Sequence, residues 1–70
     1  MTQMSEVVMR IIRLKEVLDN TGLARSTVYK YIAEDFFPKP VSLGDRAVGW
    51  VESEVHDWII ARIEQRDEKA

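Results

Sequence analysis

The sequence of 70 residues contains no cysteine. Disulfide staples, zinc–thiolate sites and cysteine nucleophiles are therefore excluded, and a reducing compartment suits the chain. Long apolar runs are also missing. The longest spans only a few residues, far short of the roughly 20 needed to cross a bilayer. The lead from Met1 to Glu6 lacks the basic start and apolar stretch of a secretory signal. The expectation is a cytoplasmic protein without membrane contact. Histidine occurs once, at His56, near Glu52, Glu54 and Asp57 in sequence. A metal site wants two or more converging ligands, and no second strong ligand is evident. Ser26 and Ser53 lack a histidine partner for nucleophilic catalysis. Asp19, Glu34 and Asp35 read as carboxylates that keep a surface polar. The sequence thus points away from an enzyme and implies no cofactor or metal.

Length sets the next bound. A chain this short makes one domain whose core contributes on the order of a few kcal/mol of net stability. Self-association or a partner then matters more than it would for a larger domain. The formal net charge is -2, which argues mildly against nucleic acid. Its distribution argues the other way. Residues 10–50 hold seven basic and five acidic side chains, whereas residues 51–70 hold three basic and six acidic. The middle carries the positive face, and contact with phosphate need only be local.

Read along the chain, residues 1–10 form a flexible lead, 11–66 a single domain and 67–70 a disordered tail. Val7, Val8, Met9, Ile11 and Ile12 suit a short strand or an extended arm. Leu14, Val17 and Leu18 recur at i, i+3 and i+4, which predicts a short helix over 14–19. Asn20-Thr21-Gly22 stops it, with Gly22 free to take a left-handed conformation. Leu23 points inward. A second helix is expected over 25–34, with Ala24, Val28, Tyr31 and Ile32 as its inner stripe. Phe36-Phe37-Pro38-Lys39-Pro40 ends that helix, because proline biases the residue before it away from helical geometry. Val41-Ser42-Leu43 and Ala47-Val48-Gly49-Trp50 flank Gly44-Asp45-Arg46, the pattern of a β-hairpin. A third helix is expected over 52–66. Val55, Ile59, Trp58 and either Arg62 or Ile63 mark its buried side. Trp50 and Trp58 read as core, and of the two tyrosines Tyr31 suits the core and Tyr29 the surface. The expected core is Leu14, Val17, Leu18, Leu23, Val28, Ile32, Phe37, Trp50, Val55, Trp58 and Ile59.

Helix, glycine turn and second helix is the arrangement that places a helix in the DNA major groove. Such a helix must be short, supported from behind and furnished with groups that reach base edges or phosphates. Arg25, Ser26, Thr27, Tyr29 and Lys30 are the candidates on the second helix. Arg25 and Lys30 can meet guanine or phosphate, and Ser26 and Thr27 lie in the first turn, where free N–H groups also face phosphate. Arg46 at the hairpin tip suits the minor groove or the backbone, and Lys39 near the hairpin base a phosphate.

The stretches Ile12-Arg13-Leu14-Lys15-Glu16-Val17 and Thr21-Gly22-Leu23-Ala24-Arg25-Ser26-Thr27-Val28-Tyr29 resemble the AlpA-like prophage regulatory family. So do Phe37-Pro38-Lys39-Pro40-Val41, Leu43-Gly44, Trp50, Ser53-Glu54-Val55 and Trp58-Ile59. The resemblance covers residues 11–63 in family order. It implies a mainly α fold with a small β-hairpin, a winged helix-turn-helix related to the DNA-binding part of MerR proteins and to phage excisionases. It implies double-stranded DNA as partner and a regulator of integrase genes or a directionality factor for excision. A tyrosine-recombinase integrase and weak or DNA-dependent self-association are further partners implied. The chain departs from the family at Ala24, where serine commonly caps the helix. Alanine cannot accept the first-turn N–H bonds, a cost of about 1 kcal/mol. A function of another class also fits the residues: the acidic C-terminal helix serving as a protein-interaction or dimerisation module.

Overall fold

A computed structural model of the protein describes residues 9–69. In chain order the elements are β1 (Ile11–Ile12), α1 (Leu14–Thr21), α2 (Arg25–Ala33), β2 (Val41–Gly44), β3 (Ala47–Val51) and α3 (Glu52–Lys69). The three strands form one antiparallel sheet in the order β1-β3-β2. The architecture is mainly helical with this small sheet, as a small winged helix requires.

Six side chains make the centre of the core: Ile12, Val17, Val28, Phe37, Trp50 and Val55. Each element except β2 contributes one, and Phe37 comes from the segment after α2. Leu14, Leu18, Leu23, Ile32, Trp58 and Ile59 pack half-buried around them, as does Tyr31. Val17 and Val28 stand on the facing sides of α1 and α2, with Leu14 one turn before Val17 and Leu18 next to it on the same face. Trp50 is fully buried, yet its indole N–H donates to the Pro38 carbonyl oxygen at 3.1 Å, so burial leaves no donor unmet.

Where the elements end follows from local bonds. α1 continues through Asn20 and Thr21, two residues beyond the expected stop at Asp19. The Thr21 hydroxyl donates to the Val17 carbonyl at 2.8 Å and accepts from the Leu23 N–H at 3.2 Å, which holds the last turn. Gly22 then takes φ 73° and donates its N–H to the Leu18 carbonyl, a left-handed helix end that suits glycine. α2 ends at Ala33, one residue early, with the Glu34 N–H shared among carbonyls of the last turn. Ala24 is exposed and does not belong to the inner stripe of α2, because it is the extended residue before the helix begins.

α3 also exceeds expectation. It runs to Lys69, so residues 67–69 are helical rather than a tail. No glycine or proline interrupts residues 52–69, and Glu52 and Glu54 lie in the first turn with Arg66 and Lys69 in the last. The first-turn acids complement the helix dipole, whereas Asp67 and Glu68 offset the two cations at the other end. On its inner side Arg62, not Ile63, is half-buried, and Ile63 is exposed.

The expected lead divides in two. Val7 and Val8 lie outside the described residues. Arg10 is firmly placed, and the flexible lead is not observed there. Its carbonyl accepts the Glu52 N–H at 2.8 Å, and its guanidinium pairs with Glu52 at 2.9 Å and Glu16 at 3.2 Å. Ile11 and Ile12 then pair with Val51 and Trp50 as a third strand. The hairpin itself has a two-residue loop, Asp45-Arg46, between the paired Gly44 and Ala47. Gly44 has φ 127°, a value that favours glycine, and Arg46 has φ 58°.

Candidate nucleic-acid interface

Helical spacing sorts the α2 candidates. Val28 and Ile32, four apart, face α1 and the core, with Tyr31 beside them. Ser26 and Lys30 form a row on the side away from Val28, and Arg25 and Tyr29 the row between it and the core face. All four are exposed. Tyr29 keeps 44% of its surface in solvent, which is large for an aromatic side chain on a nine-residue helix. Thr27 is only half-exposed and lies at the margin. The structure therefore gathers Arg25, Ser26, Tyr29 and Lys30 and turns Thr27 aside.

The N-terminus of α2 adds to this surface. Ala24 makes no side-chain cap bond, and the first turn contains no acidic residue. The first N–H groups of a helix have no partner within it, and they carry the positive end of its dipole. Here neither a cap nor a carboxylate masks that end. By contrast, α3 begins with Glu52 and Glu54.

Ion pairing separates the cations further. Among the described residues Arg25, Lys30 and Arg46 make no salt bridge, so their charge is uncommitted. Lys39 differs. Its ammonium lies 3.1 Å from the Asp35 carboxylate, and both groups are exposed. Asp35 has φ 58°, the left-handed geometry that aspartate tolerates better than most residues. A phosphate contact by Lys39 has to compete with that carboxylate. Arg13 belongs with the free cations, although the sequence did not single it out. It is exposed, unpaired among the described residues, and stands at the start of α1. Its signal was its place immediately before the first apolar periodic residue, Leu14.

Arg46 projects from the wing tip. Its left-handed backbone costs an ordinary residue about 1–2 kcal/mol. The tip is short: Gly44 and Ala47 are already paired, and the register slips between Ser42 and Gly44. His56 is exposed on α3, and no group of three metal-binding side chains clusters among the described residues.

A family model described as prophage CP4-57 regulatory protein (AlpA) matches residues 10–63. An Enterobacteria phage P4 protein described as uncharacterized protein ORF88 is 46% identical over 57 residues, which cover 81% of this chain and 65% of that protein. The DNA-binding transcriptional activator AlpA of Escherichia coli (strain K12) is 39% identical over 59 residues, covering 76% of this chain and 84% of that protein. This chain thus matches just under two thirds of the phage protein's length.

Proposed function

Since the chain belongs to the AlpA family of prophage regulatory proteins, we propose that it binds double-stranded DNA and regulates transcription from a prophage or genomic island. α2 enters the major groove, with Arg25, Ser26, Tyr29 and Lys30 toward base edges and phosphates. The uncapped first turn of α2 meets a phosphate. Arg46 carries the wing to the minor groove or adjacent backbone. Thr27 and Lys39 serve at the edge of this contact, Lys39 only after leaving Asp35.

One observation carries the reading: the solvent side of α2 holds two uncommitted cations above a buried Val28, and no acid masks its first turn. A solvated helix face of ordinary kind mixes both signs. The integrase gene is the expected target, and control of excision is the related role. A single module of this kind buries roughly 600–1,000 Å² of protein surface, so useful specificity needs repeated sites or a partner such as integrase.

The test is a salt series on duplex DNA from the region upstream of the gene and of a neighbouring integrase gene. Affinity should fall steeply with salt, with a slope near -0.9 per phosphate contacted. Arg25→Ala, Lys30→Ala and Arg46→Ala should each weaken binding. Footprinting then locates the site. Salt-independent binding, or binding unchanged in all three variants, would sink the reading in favour of an interaction module built on α3.

A further inference from the structure

α3 carries two stripes of opposite character that the DNA-binding reading does not use. The first faces a groove of about 340 Å³ between the end of α1 and the second half of α3. Leu23, Trp58 and Ile59 supply apolar wall, and Arg62 and Arg66 supply charge. No carboxylate lines this groove. The Arg62 guanidinium carbon sits 4.6 Å from the Phe36 ring centre and 5.2 Å from that of Trp58. Its Nε and Nη1 are buried without a hydrogen-bond partner. The rings hold the cation by its face, and no acid balances it among the described residues. Arg66 meets only its neighbour Asp67, in an exposed pair of little energetic value.

The second stripe runs along Asp57, Ile60, Glu64 and Asp67, at intervals of three and four residues. All four are exposed, and Ile60 keeps 50% of its surface in solvent. It lies nearly half a turn around α3 from the Arg62–Arg66 stripe. One stripe is apolar with two cations whose sole carboxylate partner among the described residues is the exposed Asp67 beside Arg66, and the other is acidic with an apolar residue at its centre.

We propose that the groove of one copy receives the acidic stripe of a second copy, head to tail. Ile60 of the incoming helix fills the apolar wall, and its Glu64 meets Arg66 and the open edge of Arg62. A phosphate would find the charge but not the apolar wall, which favours a carboxylate beside a hydrocarbon side chain. A twofold antiparallel pairing about Ile60 and Ile63 is disfavoured, because it sets the acidic stripe against its own copy. In the head-to-tail arrangement each bound copy keeps a free stripe, so growth is open-ended. The contact is small. Stable interfaces bury roughly 1,200–2,000 Å², more than three helical turns supply, so the association is weak in free solution.

The inference is tested without DNA, so its failure leaves the DNA-binding reading untouched. Sedimentation velocity of the whole chain from micromolar to millimolar concentration should show weight-average mass rising with no plateau at a dimer. Arg66→Glu and Glu64→Arg should each stay monomeric, with circular dichroism unchanged since both sites are exposed. An equimolar mixture of the two variants should associate again, because every groove then meets a stripe of opposite charge. A parent chain that stays monomeric throughout, a plateau at the dimer, variants that associate like the parent, or a mixture that stays monomeric each overturns the proposal.

Discussion

The indole N–H of Trp58 donates to the Phe36 carbonyl oxygen at 2.6 Å, tying α3 to the chain that leaves α2. The rings reinforce the tie. Trp58 meets both Phe36 and Phe37 edge-on, at 5.7 and 5.0 Å between centroids, and Phe36 meets Tyr31 of α2 at 5.0 Å. Position and tilt of α2 are thereby set from its C-terminal side.

Trp58→Phe keeps most of the ring contacts and removes the donor. Stability should drop by about 1 kcal/mol, the usual net value of one such bond. Urea denaturation followed by circular dichroism reads the change. DNA affinity measured well below the transition should stay within twofold, because Trp58 lies off the proposed contact surface. A tenfold loss would place Trp58 in recognition.

Ala24→Ser restores a cap to α2. The hydroxyl can accept a first-turn N–H, and Ala24 already has the extended φ of -76° and ψ of 155° that a cap residue needs. The expected gain is about 1 kcal/mol, which for a domain of this size raises Tm by about 4–8 °C. Calorimetry or a thermal melt tests it.

Arg46→Gly and Arg46→Ala separate strain from charge. Both remove the guanidinium, so both should weaken DNA binding alike and reduce the magnitude of the salt slope by about 1. Glycine adopts φ 58° freely, whereas alanine, like Arg46, adopts it at a cost. The glycine variant should therefore be more stable than the alanine variant by about 1 kcal/mol. Equal stabilities would mean that the tip relaxes to another turn.

Gly49→Ala tests the sheet. A Cβ there would clash with Ile11 Cγ2 and lie 3.0 Å from the Ile12 carbonyl oxygen and 3.2 Å from Leu43 Cδ1. Ile11 can swing aside, but the carbonyl is backbone within the strand pair. A loss of about 2 kcal/mol is expected, in the range for overpacking. Ile11→Ala should recover part of it in the double variant, and a denaturation series on the four chains measures that coupling.

Much of the fold is legible in the residues because its signals are local. Leu14, Val17 and Leu18 mark a face by their spacing, Gly22 marks a stop, and Gly44-Asp45-Arg46 marks a tip. Other features depend on partners distant in sequence. Ile12 is fully buried, but a strand of two residues has no periodicity to read, and its partner Trp50 lies beyond both helices. Spacing leaves Arg62 and Ile63 both open for the buried side of α3, and the distant Phe36 ring decides for Arg62. Ala24 has the apolar character of a core residue, but its place before the first helical turn decides its exposure. In the candidate site the spacing sets Arg25, Ser26, Tyr29 and Lys30 outward on α2, where they are exposed, whereas the pairing of Lys39 with Asp35 and the freedom of Arg13 require the folded chain.

The bond between Arg10 and Glu52 spans 42 residues of sequence. Strand β1 is the earliest piece of the core, and it cannot be seated until β3 and the first turn of α3 exist. Closing so long a loop is the slow part of assembling a small domain. During synthesis, therefore, α1 and α2 leave the ribosome as an unfinished pair, and the core closes only after β3 and the first turn of α3 have followed them.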